Sequence, residues 1–368
     1  MQTNRRNWLK KIGLVTAGLG VAQFKTFALP TTNLLTFAPT DDSPIRLSSN
    51  ENPYGPSPLA KIAMTNSINN SNRYNWNTTG DLISALAKRN NVTDDNILIG
   101  AGSTEILDLV VQYFALQKGN FIVANPSYTS WTKTAEKLGL KKISVPLTKD
   151  KQHDLTAMLS AIDADTKLIY VCNPNNPTGT ICDSAALISF IKEATKKVTV
   201  MIDEAYIDFT DQPSLSNLVA DNKNLIVVKT FSKIYGLAGA RIGYAIAQTD
   251  TISKISDLQS WANGGVSVVS RAGAIASLTD DDFVKQCYAK NEAAKKYTIE
   301  QLTLLNITCI PSHTNFIYFS LTNYKKDFFA SLKSNNIQGT YIYEEEGKWT
   351  RITVGTMDEM QKFITAIK

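Results

Sequence analysis

The chain has 368 residues, of which 43% are hydrophobic and 19% are charged. This size and balance are typical of an enzyme with one large domain and one smaller domain. The formal net charge is +5, but residues 1–28 contain five basic residues and no acidic one. Removing those five from the 38 basic residues leaves 33, the number of acidic residues in the chain. The neutral remainder gives no electrostatic reason to expect a nucleic-acid partner, and none is predicted.

Residues 1–28 have the organisation of an export signal. A basic stretch with Arg5 and Arg6 precedes an apolar run that is too short to span a bilayer as a helix. Thr26 and Ala28 are small residues at a spacing that a signal peptidase accepts. The segment resembles a twin-arginine signal, which predicts a periplasmic or otherwise exported protein with no membrane contact beyond the signal. A disordered basic N-terminus on a cytoplasmic protein is the alternative.

The elements that follow predict an α/β fold. Residues 29–58 form an N-terminal arm that ends in a turn-rich stretch. Between 59 and 275, short apolar runs alternate with helix-like stretches, which predicts a large domain with a mostly parallel sheet covered by helices. The runs predicted as strands are 97–102, 121–126, 167–174, 198–206, 224–231 and 243–247. Residues 276–368 begin with a long helix and predict a smaller α+β domain.

Polar residues follow several of these predicted strands. Ligands of open parallel sheets bind beyond the carboxyl ends of the strands, so we expect these residues to share one site. They include Gly102, Ser103, Thr104, Tyr128, Asn176, Asp203, Tyr206, Ser232 and Lys233. No metal site is predicted, because the two histidines are far apart in sequence and the four cysteines lack metal-type spacing.

Lys233 and Asp203 predict carbonyl chemistry. A lysine beside a strand end in apolar surroundings can lose its proton and attack an aldehyde. A carboxylate that ends an apolar strand needs a partner, and a pyridinium N–H would both pair with it and remain an electron sink. Tyr206 and Asn176 are placed to contact a phenolate oxygen on such a ring, and Tyr128 to stack on it. The ordinary alternatives are a surface lysine, a structural salt bridge and a turn tyrosine.

The strand-to-helix junction at 101–104 predicts a phosphate site. Helix N-termini present free N–H groups and the positive end of the helix dipole. Ser103 and Thr104 add hydroxyl groups, and Ser232 and Arg241 are expected to close round the same phosphate. An ordinary helix N-cap is the alternative.

Five motifs together resemble a known family. They are "NENPYGPSP" at 50–58, "NPNNPTG" at 173–179, "DEAY" at 203–206, "TFSKIYGLAGARIGY" at 230–244 and "RITVG" at 351–355. In this order they resemble the class I/II aminotransferases of fold type I, and most closely the histidinol-phosphate aminotransferase branch. The resemblance extends from about residue 45 to the C-terminus. It implies pyridoxal 5'-phosphate as cofactor and an amino acid and a 2-oxo acid as substrates.

The resemblance also implies roles for the matched cofactor residues. Lys233 would attach to the cofactor and move the substrate proton, and Asp203 and Tyr206 would complete the catalytic set. The implied cofactor-binding residues are Gly102, Ser103, Thr104, Tyr128, Asn176, Asp203, Tyr206, Ser232, Lys233, Arg241 and Tyr74. Tyr74 matches a tyrosine that, in this family, serves the site of the other subunit, so a homodimer is implied.

The substrate side matches the family less well. Arg351 would bind the substrate carboxylate, with Asn50 and Tyr54 beside the substrate. However, Thr340 stands where the branch carries a second arginine that contacts the substrate phosphate, and 263–265 also depart from its pattern. These changes predict an unphosphorylated amino acid as substrate. The alternative is a pyridoxal-phosphate-dependent decarboxylase or other lyase of an amino acid or phospho-amino acid.

Overall fold

The computed structural model of the chain describes residues 43–74, 80–261 and 265–368. The predicted export signal, residues 29–42 of the predicted arm and residues 263 and 264 therefore lie outside the described residues. Pro44–Lys368 form one compact unit, and the domain boundaries predicted at 58 and 275 stay predictions. In the described part of the chain, no helix is long and apolar enough to cross a membrane.

A seven-stranded sheet forms the centre of the fold. Its strand order is β2-β8-β7-β6-β5-β3-β4, and β8 runs in the opposite direction to the other six strands. The strands are β2 (Ile97–Gly100), β3 (Asn120–Asn125), β4 (Lys141–Pro146), β5 (Thr166–Cys172), β6 (Thr199–Asp203), β7 (Leu225–Thr230) and β8 (Gly243–Ile246). The mostly parallel α/β sheet predicted from the sequence is confirmed.

The central strands of the sheet are buried on both faces, which explains why they are continuous apolar runs. In β7, Leu225 and Val227 face one hydrophobic core, and Ile226 and Val228 face the other. The strand β4 was not predicted, because it lies at the sheet edge and most of its side chains are exposed. A half-exposed edge strand lacks the apolar run by which the central strands were identified.

The helices of the described residues cover this sheet and the C-terminal part of the chain. They are α1 (Pro58–Ser67), α2 (Gly80–Asn90), α3 (Ser103–Ala115), α4 (Thr132–Lys137), α5 (Leu155–Ser160), α6 (Ser184–Ala194), α7 (Thr249–Ser256), α8 (Val268–Ser277), α9 (Asp281–Leu304), α10 (Phe328–Ser334) and α11 (Met357–Ile367). Several begin at a side-chain cap: Asp183 accepts from the Ala186 N–H and Asp280 from the Phe283 N–H. The long predicted helix at 280–305 is confirmed as α9.

The C-terminal part is an α+β arrangement with its own core. An antiparallel sheet has the order β11-β12-β9, and β1 pairs in parallel with β10. These strands are β1 (Ile45–Arg46), β9 (Phe316–Ser320), β10 (Ile337–Gln338), β11 (Ile342–Glu344) and β12 (Trp349–Thr353). Leu47, from the predicted arm, packs into the same core as Phe319 and Phe363. Residues 45–47 of the arm therefore join the C-terminal core.

Candidate active site

A cavity of about 920 Å³ opens at the carboxyl edge of the large sheet. Its lining brings together polar residues from the carboxyl ends of four strands. Ser103 and Thr104 follow β2, and Asn176 follows β5. Asp203 is the last residue of β6, Tyr206 follows it, and Ser232 and Lys233 follow β7. Because β2, β5, β6 and β7 all point in one direction, their ends meet at one edge. The C-terminal part closes the cavity with Gly339, Thr340, Tyr341, Tyr343 and Arg351.

Lys233 lines the cavity, and its ammonium group has a lowered pKa. Its Nζ lies 3.4 Å from the Ser49 carbonyl oxygen and 5.5 Å from the centre of the Tyr206 ring. Burial of the amine, followed by the positive charge of Arg351, lowers the pKa of Lys233 to about 8. An appreciable fraction of the amine is therefore neutral and nucleophilic at mildly alkaline pH.

Asp203 ends β6 as a buried carboxyl group with 2% of its surface exposed. Oδ2 accepts a hydrogen bond from the Tyr170 hydroxyl at 2.8 Å, and Oδ1 accepts from the Ala205 N–H at 3.0 Å. Burial raises the pKa of Asp203, while both hydrogen bonds and the nearby Lys233 act in the opposite direction. A carboxylate in this position is suited to pair with a protonated ring nitrogen.

Tyr206 lies beside Asp203 with its hydroxyl held by two amides. The Asn50 and Asn176 side chains donate to the Tyr206 oxygen at 3.0 and 3.5 Å. Burial raises the pKa of Tyr206, so the phenol stays protonated and can donate its hydrogen into the cavity. Asn50 also accepts from the Thr353 hydroxyl at 3.1 Å, which ties the Tyr206 side of the cavity to β12.

An anion cradle lies where β2 passes into α3. Gly102 caps the helix with a φ of +83°, and a Cβ there would lie 2.2 Å from Nη2 of Arg241. Glycine therefore leaves the space in which the Arg241 guanidinium lies against the N-terminus of the 13-residue helix. Nη1 of Arg241 lies 3.4 Å from the Ser232 hydroxyl and donates to the Ala238 carbonyl at 3.0 Å.

Two neighbouring features complete this cradle. The Thr230 hydroxyl donates to the Ser232 hydroxyl at 3.0 Å and accepts from the Ser232 N–H at 3.1 Å, which fixes Ser232 at the end of β7. A Cβ at Gly243 would lie 2.4 Å from the Ser103 nitrogen, so this glycine lets β8 pass close to the helix start. Helix N–H groups, hydroxyls and a guanidinium together make a site suited to a phosphate.

Arg351 lies on the opposite side of the cavity, in β12. It is 6% exposed and donates to the Asn176 Oδ1 at 2.5 Å and to the Ser48 carbonyl at 2.6 Å. Its Nε has no hydrogen-bond partner within the described residues, and none of their ion pairs includes Arg351. A buried guanidinium without a carboxylate partner is suited to receive an anionic ligand.

Two predicted site residues lie away from the cavity of this chain. Tyr54 lines a separate small cleft with Phe209 and Cys287, and Lys290 Nζ lies 4.8 Å from its ring. Tyr74 is 70% exposed and is absent from the cavity lining. By contrast, the cavity lining includes Tyr128 and Asn50 as predicted.

The lining also contains residues that were not predicted as site residues. Tyr341 and Tyr343 lie with ring centres 4.4 Å apart, and Tyr343 also lies 5.4 Å from the Arg351 guanidinium. Cys172 and the exposed Lys133 are two more such residues. None belongs to a motif with a chemical signature; only their placement after a strand or beside "RITVG" could have suggested them.

Known proteins agree with this geometry. The family model for aminotransferase classes I and II matches residues 42–367. This chain belongs to the class I and II aminotransferases. The histidinol-phosphate aminotransferases of Moorella thermoacetica and Brevibacillus brevis are 34% and 35% identical to it; each alignment covers 88% of this chain, and 84% and 89% of the relative.

A solved structure extends the likeness to the cofactor. Histidinol-phosphate aminotransferase from Sinorhizobium meliloti, in complex with pyridoxal-5'-phosphate, superposes on this aminotransferase with a TM-score of 0.80 at 25% identity, over 88% of this chain and 90% of that one. The donor set described above fits this cofactor, because the cradle at Gly102 suits its phosphate and the buried Asp203 suits its pyridine nitrogen. The protein is a pyridoxal-phosphate-dependent aminotransferase of fold type I.

Proposed function

We propose that this aminotransferase moves the amino group of an unphosphorylated amino acid to a 2-oxo acid, with the substrate carboxylate bound at Arg351. When bound, pyridoxal phosphate supplies an aldehyde that condenses with amines and a ring that withdraws electrons. In this proposal Ser103, Thr104, Ser232 and Arg241 bind the cofactor phosphate, and Gly102 leaves the space that the Arg241 guanidinium occupies. Tyr128 stacks on the ring.

Lys233 is proposed as the residue that holds the cofactor and then moves the substrate proton. Its pKa of about 8 lets it work as a base near physiological pH. Asp203 stabilises a positive charge on the cofactor ring, and Tyr206, supported by Asn176 and Asn50, donates to the ring oxygen.

The observation that carries the substrate proposal is the state of Thr340. Its hydroxyl donates to the Arg351 carbonyl at 2.5 Å and lies 3.4 Å from the Thr350 hydroxyl, so its proton is already used inside the protein. Arg351 therefore has no second cation at position 340 to help it bind an anionic ligand. A single guanidinium suits a carboxylate better than a phosphate dianion. The exposed Lys133 adds little, because a solvated charge is screened.

An absorbance titration of the cofactor-loaded protein tests this proposal. The panel would contain the free amino acids and histidinol phosphate, and conversion of the bound cofactor to its aminated form would be recorded. We expect at least one free amino acid to convert the cofactor and histidinol phosphate not to convert it. Conversion by histidinol phosphate alone would overturn the substrate assignment.

A charge-adding variant sharpens the same test. Thr340→Arg should improve the apparent affinity for histidinol phosphate by about tenfold or more, because it restores a charged donor beside Arg351. Thr365→Arg adds the same charge on an exposed position of α11 and should change nothing. Equal effects of the two variants would show that general charge, rather than position 340, controls phosphate binding.

The lyase alternative is not favoured, because the relatives described above are aminotransferases. Release of carbon dioxide from a substrate without formation of the aminated cofactor would restore it.

The homodimer remains part of the proposal. Tyr74 is 70% exposed, and Leu59, Ile62 and Ile68 nearby in sequence are also exposed apolar residues. Such side chains are suited to an interface between two copies, in which Tyr74 would serve the other subunit's cofactor. Sedimentation would give the oligomeric state, and Tyr74→Phe should weaken cofactor binding. A monomer that binds cofactor with unchanged affinity would contradict it.

Export through the twin-arginine-type signal is also proposed, on the pattern of residues 1–28 alone. Such a route carries folded proteins, which would let this aminotransferase leave the cytoplasm with its cofactor bound. Cell fractionation with N-terminal sequencing tests this; a cytoplasmic protein with its first residues intact would contradict it.

A further inference from the structure

Tyr170 is a buried tyrosine beside the site whose hydroxyl donates to the carboxylate of Asp203 and also interacts with the Cys172 thiol. Side chains alternate between the faces of a strand, so Tyr170 and Cys172 of β5 lie on one face, as do Met201 and Asp203 of β6. Tyr170 pairs with Met201 and Cys172 pairs with Asp203 in the sheet. The phenol therefore extends along this face and reaches the carboxylate next to it.

The Tyr170 ring is fixed in this direction by its packing. The residue is 0% exposed, and the Trp131 ring meets it edge-on with centres 4.9 Å apart. Trp131 is itself tied to the cavity lining, because its Nε1 donates to the Tyr128 carbonyl at 3.2 Å. This packing keeps the hydroxyl directed at the carboxylate of Asp203.

The hydrogen bond also fixes which part of Asp203 faces the cavity. A carboxylate offers about four acceptor positions on its two oxygens. The Tyr170 hydroxyl uses one on Oδ2 and the Ala205 N–H uses one on Oδ1. The remaining positions of Asp203, which lines the cavity, are left for a donor inside it.

The protonation states are consistent with this direction of donation. Burial raises the pKa of Tyr170 well above its usual value, so the phenol keeps its proton. Its hydrogen bond acts against the rise that burial imposes on the pKa of Asp203. Phenylalanine would fill the same space but would leave the buried carboxylate with one fewer donor.

We propose that Tyr170 is a positioning residue for the transamination reaction: its hydroxyl holds Asp203 ionised and oriented towards the ring nitrogen of pyridoxal phosphate. This inference rests on the role proposed above for Asp203 and adds a residue that contacts neither substrate nor cofactor. Its effect passes through a single hydrogen bond of 2.8 Å.

Equilibrium binding of two cofactors to the cofactor-free full chain tests the inference. One is pyridoxal phosphate, and the other is its analogue with a ring C–H in place of the nitrogen. The ratio of their dissociation constants measures the interaction made through the ring nitrogen alone, since both compounds keep the aldehyde and the phosphate. A role in packing alone would weaken both equally and leave the ratio unchanged.

We expect Tyr170→Phe to reduce the preference for pyridoxal phosphate by roughly tenfold, the size of one hydrogen bond to a charged group. Tyr244→Phe is the matched control, because Tyr244 is a buried tyrosine of β8 whose hydroxyl accepts from Asn90 at 3.4 Å. It should leave the ratio unchanged. In an Asp203→Ala background, Tyr170→Phe should have no further effect on the ratio.

The outcomes separate this inference from the proposed site. If Asp203→Ala keeps the full preference for pyridoxal phosphate, the role of Asp203 is wrong. If Asp203→Ala abolishes the preference and Tyr170→Phe leaves it intact, only the inference about Tyr170 fails. Should Tyr170→Phe not fold, 3-fluorotyrosine at position 170 keeps the shape and strengthens the donor, and an unchanged ratio would then overturn the inference.

Discussion

The cavity has two walls that are built differently. The sheet wall consists of the strand-end residues Ser103, Thr104, Asn176, Asp203, Tyr206, Ser232, Lys233 and Arg241. The hairpin wall consists of residues 48–51 with 339–341, Tyr343 and Arg351. The first is fixed by the backbone ladder of the large sheet, in which each strand end has a set register. The second is joined to it by side-chain bonds, including Arg351 to Asn176 and Asn50 to Tyr206.

This difference separates cofactor chemistry from substrate choice. The sheet wall contains the residues that suit pyridoxal phosphate, and changes there would disturb strands buried on both faces. The hairpin wall contains Thr340, Tyr341 and Tyr343, which lie partly in solvent, so changes there would not disturb the buried strands of the large sheet. One set of cofactor residues can therefore serve different substrates.

The largest effect is expected from Lys233→Ala, on the sheet wall. Transamination should fall by about a thousandfold or more, because the variant lacks both the nucleophile and the proton-transfer group. The measurement is the rate of cofactor conversion by the best amino acid of the panel. Lys223→Ala, at an exposed lysine, should behave as the native chain. A Lys233→Ala variant that retains most of its rate would remove the central residue of the sheet wall.

The two arginines of the cavity should separate the walls most clearly. Arg241→Gln should weaken cofactor binding by about a hundredfold, because it removes a charged donor from the phosphate cradle. Arg351→Gln should raise KM for the amino acid by about a hundredfold and leave cofactor affinity nearly unchanged. Both constants would be measured for both variants. If each variant changed both constants to the same degree, the division into two walls would be wrong.

The hairpin wall should nevertheless act on Lys233 through charge. With the pKa of Lys233 at about 8, the neutral amine falls about tenfold for each pH unit below that value. The rate at which the cofactor-free protein captures pyridoxal phosphate should therefore rise with pH and level off above about 8. Arg351 is the second largest cause of the lowered pKa. Arg351→Gln should move the midpoint to higher pH, whereas Lys142→Gln, on the surface, should not.

The contrast between the walls also explains what could be predicted from sequence. Lys233, Asp203 and Arg351 stand in motifs whose residue types suit pyridoxal-phosphate chemistry. The alternation of strand-like and helix-like stretches predicts a parallel sheet, and this was enough to place Lys233 and Asp203 at the same edge of it. The same reasoning could not identify Tyr170 as a site residue, because a tyrosine inside an apolar strand is indistinguishable in the sequence from an ordinary core residue. Its partner depends on the register of β5 against β6, which the sequence does not state.

The hairpin wall was harder to predict for a physical reason. The strand β11 has only partly buried side chains, so it lacks the apolar pattern of a central strand. Its position depends on distant partners, and Glu344 illustrates this. One of its oxygens accepts from the Tyr318 hydroxyl at 2.7 Å, and the other pairs with Lys151, which is 193 residues away in the chain.

The smallest effect is expected from breaking this Lys151–Glu344 pair, which joins the two parts of the molecule. The Lys151 main chain accepts from Thr180 of the "NPNNPTG" region at 2.7 Å, while its Nζ lies 2.8 Å from Glu344 and 5.0 Å from the Trp349 ring. Lys151→Ala keeps the first bond and removes the others. Because the pair is only partly buried, we expect about 1 kcal/mol of lost stability.

The Lys151→Ala variant should affect substrate binding at the hairpin wall and leave cofactor binding at the sheet wall unchanged. Without the pair, β11 is held less firmly against the large sheet, so Tyr343 and the neighbouring Arg351 are less well positioned for the substrate. The KM for the amino acid should therefore rise about threefold, and cofactor affinity should not change. Lys142→Ala removes an exposed pair with Glu136 at 3.9 Å and serves as control. If Lys151→Ala matched this control in KM, the Lys151–Glu344 pair would not position the hairpin wall, and the hydrogen bonds of Arg351 and Asn50 would be enough to hold it.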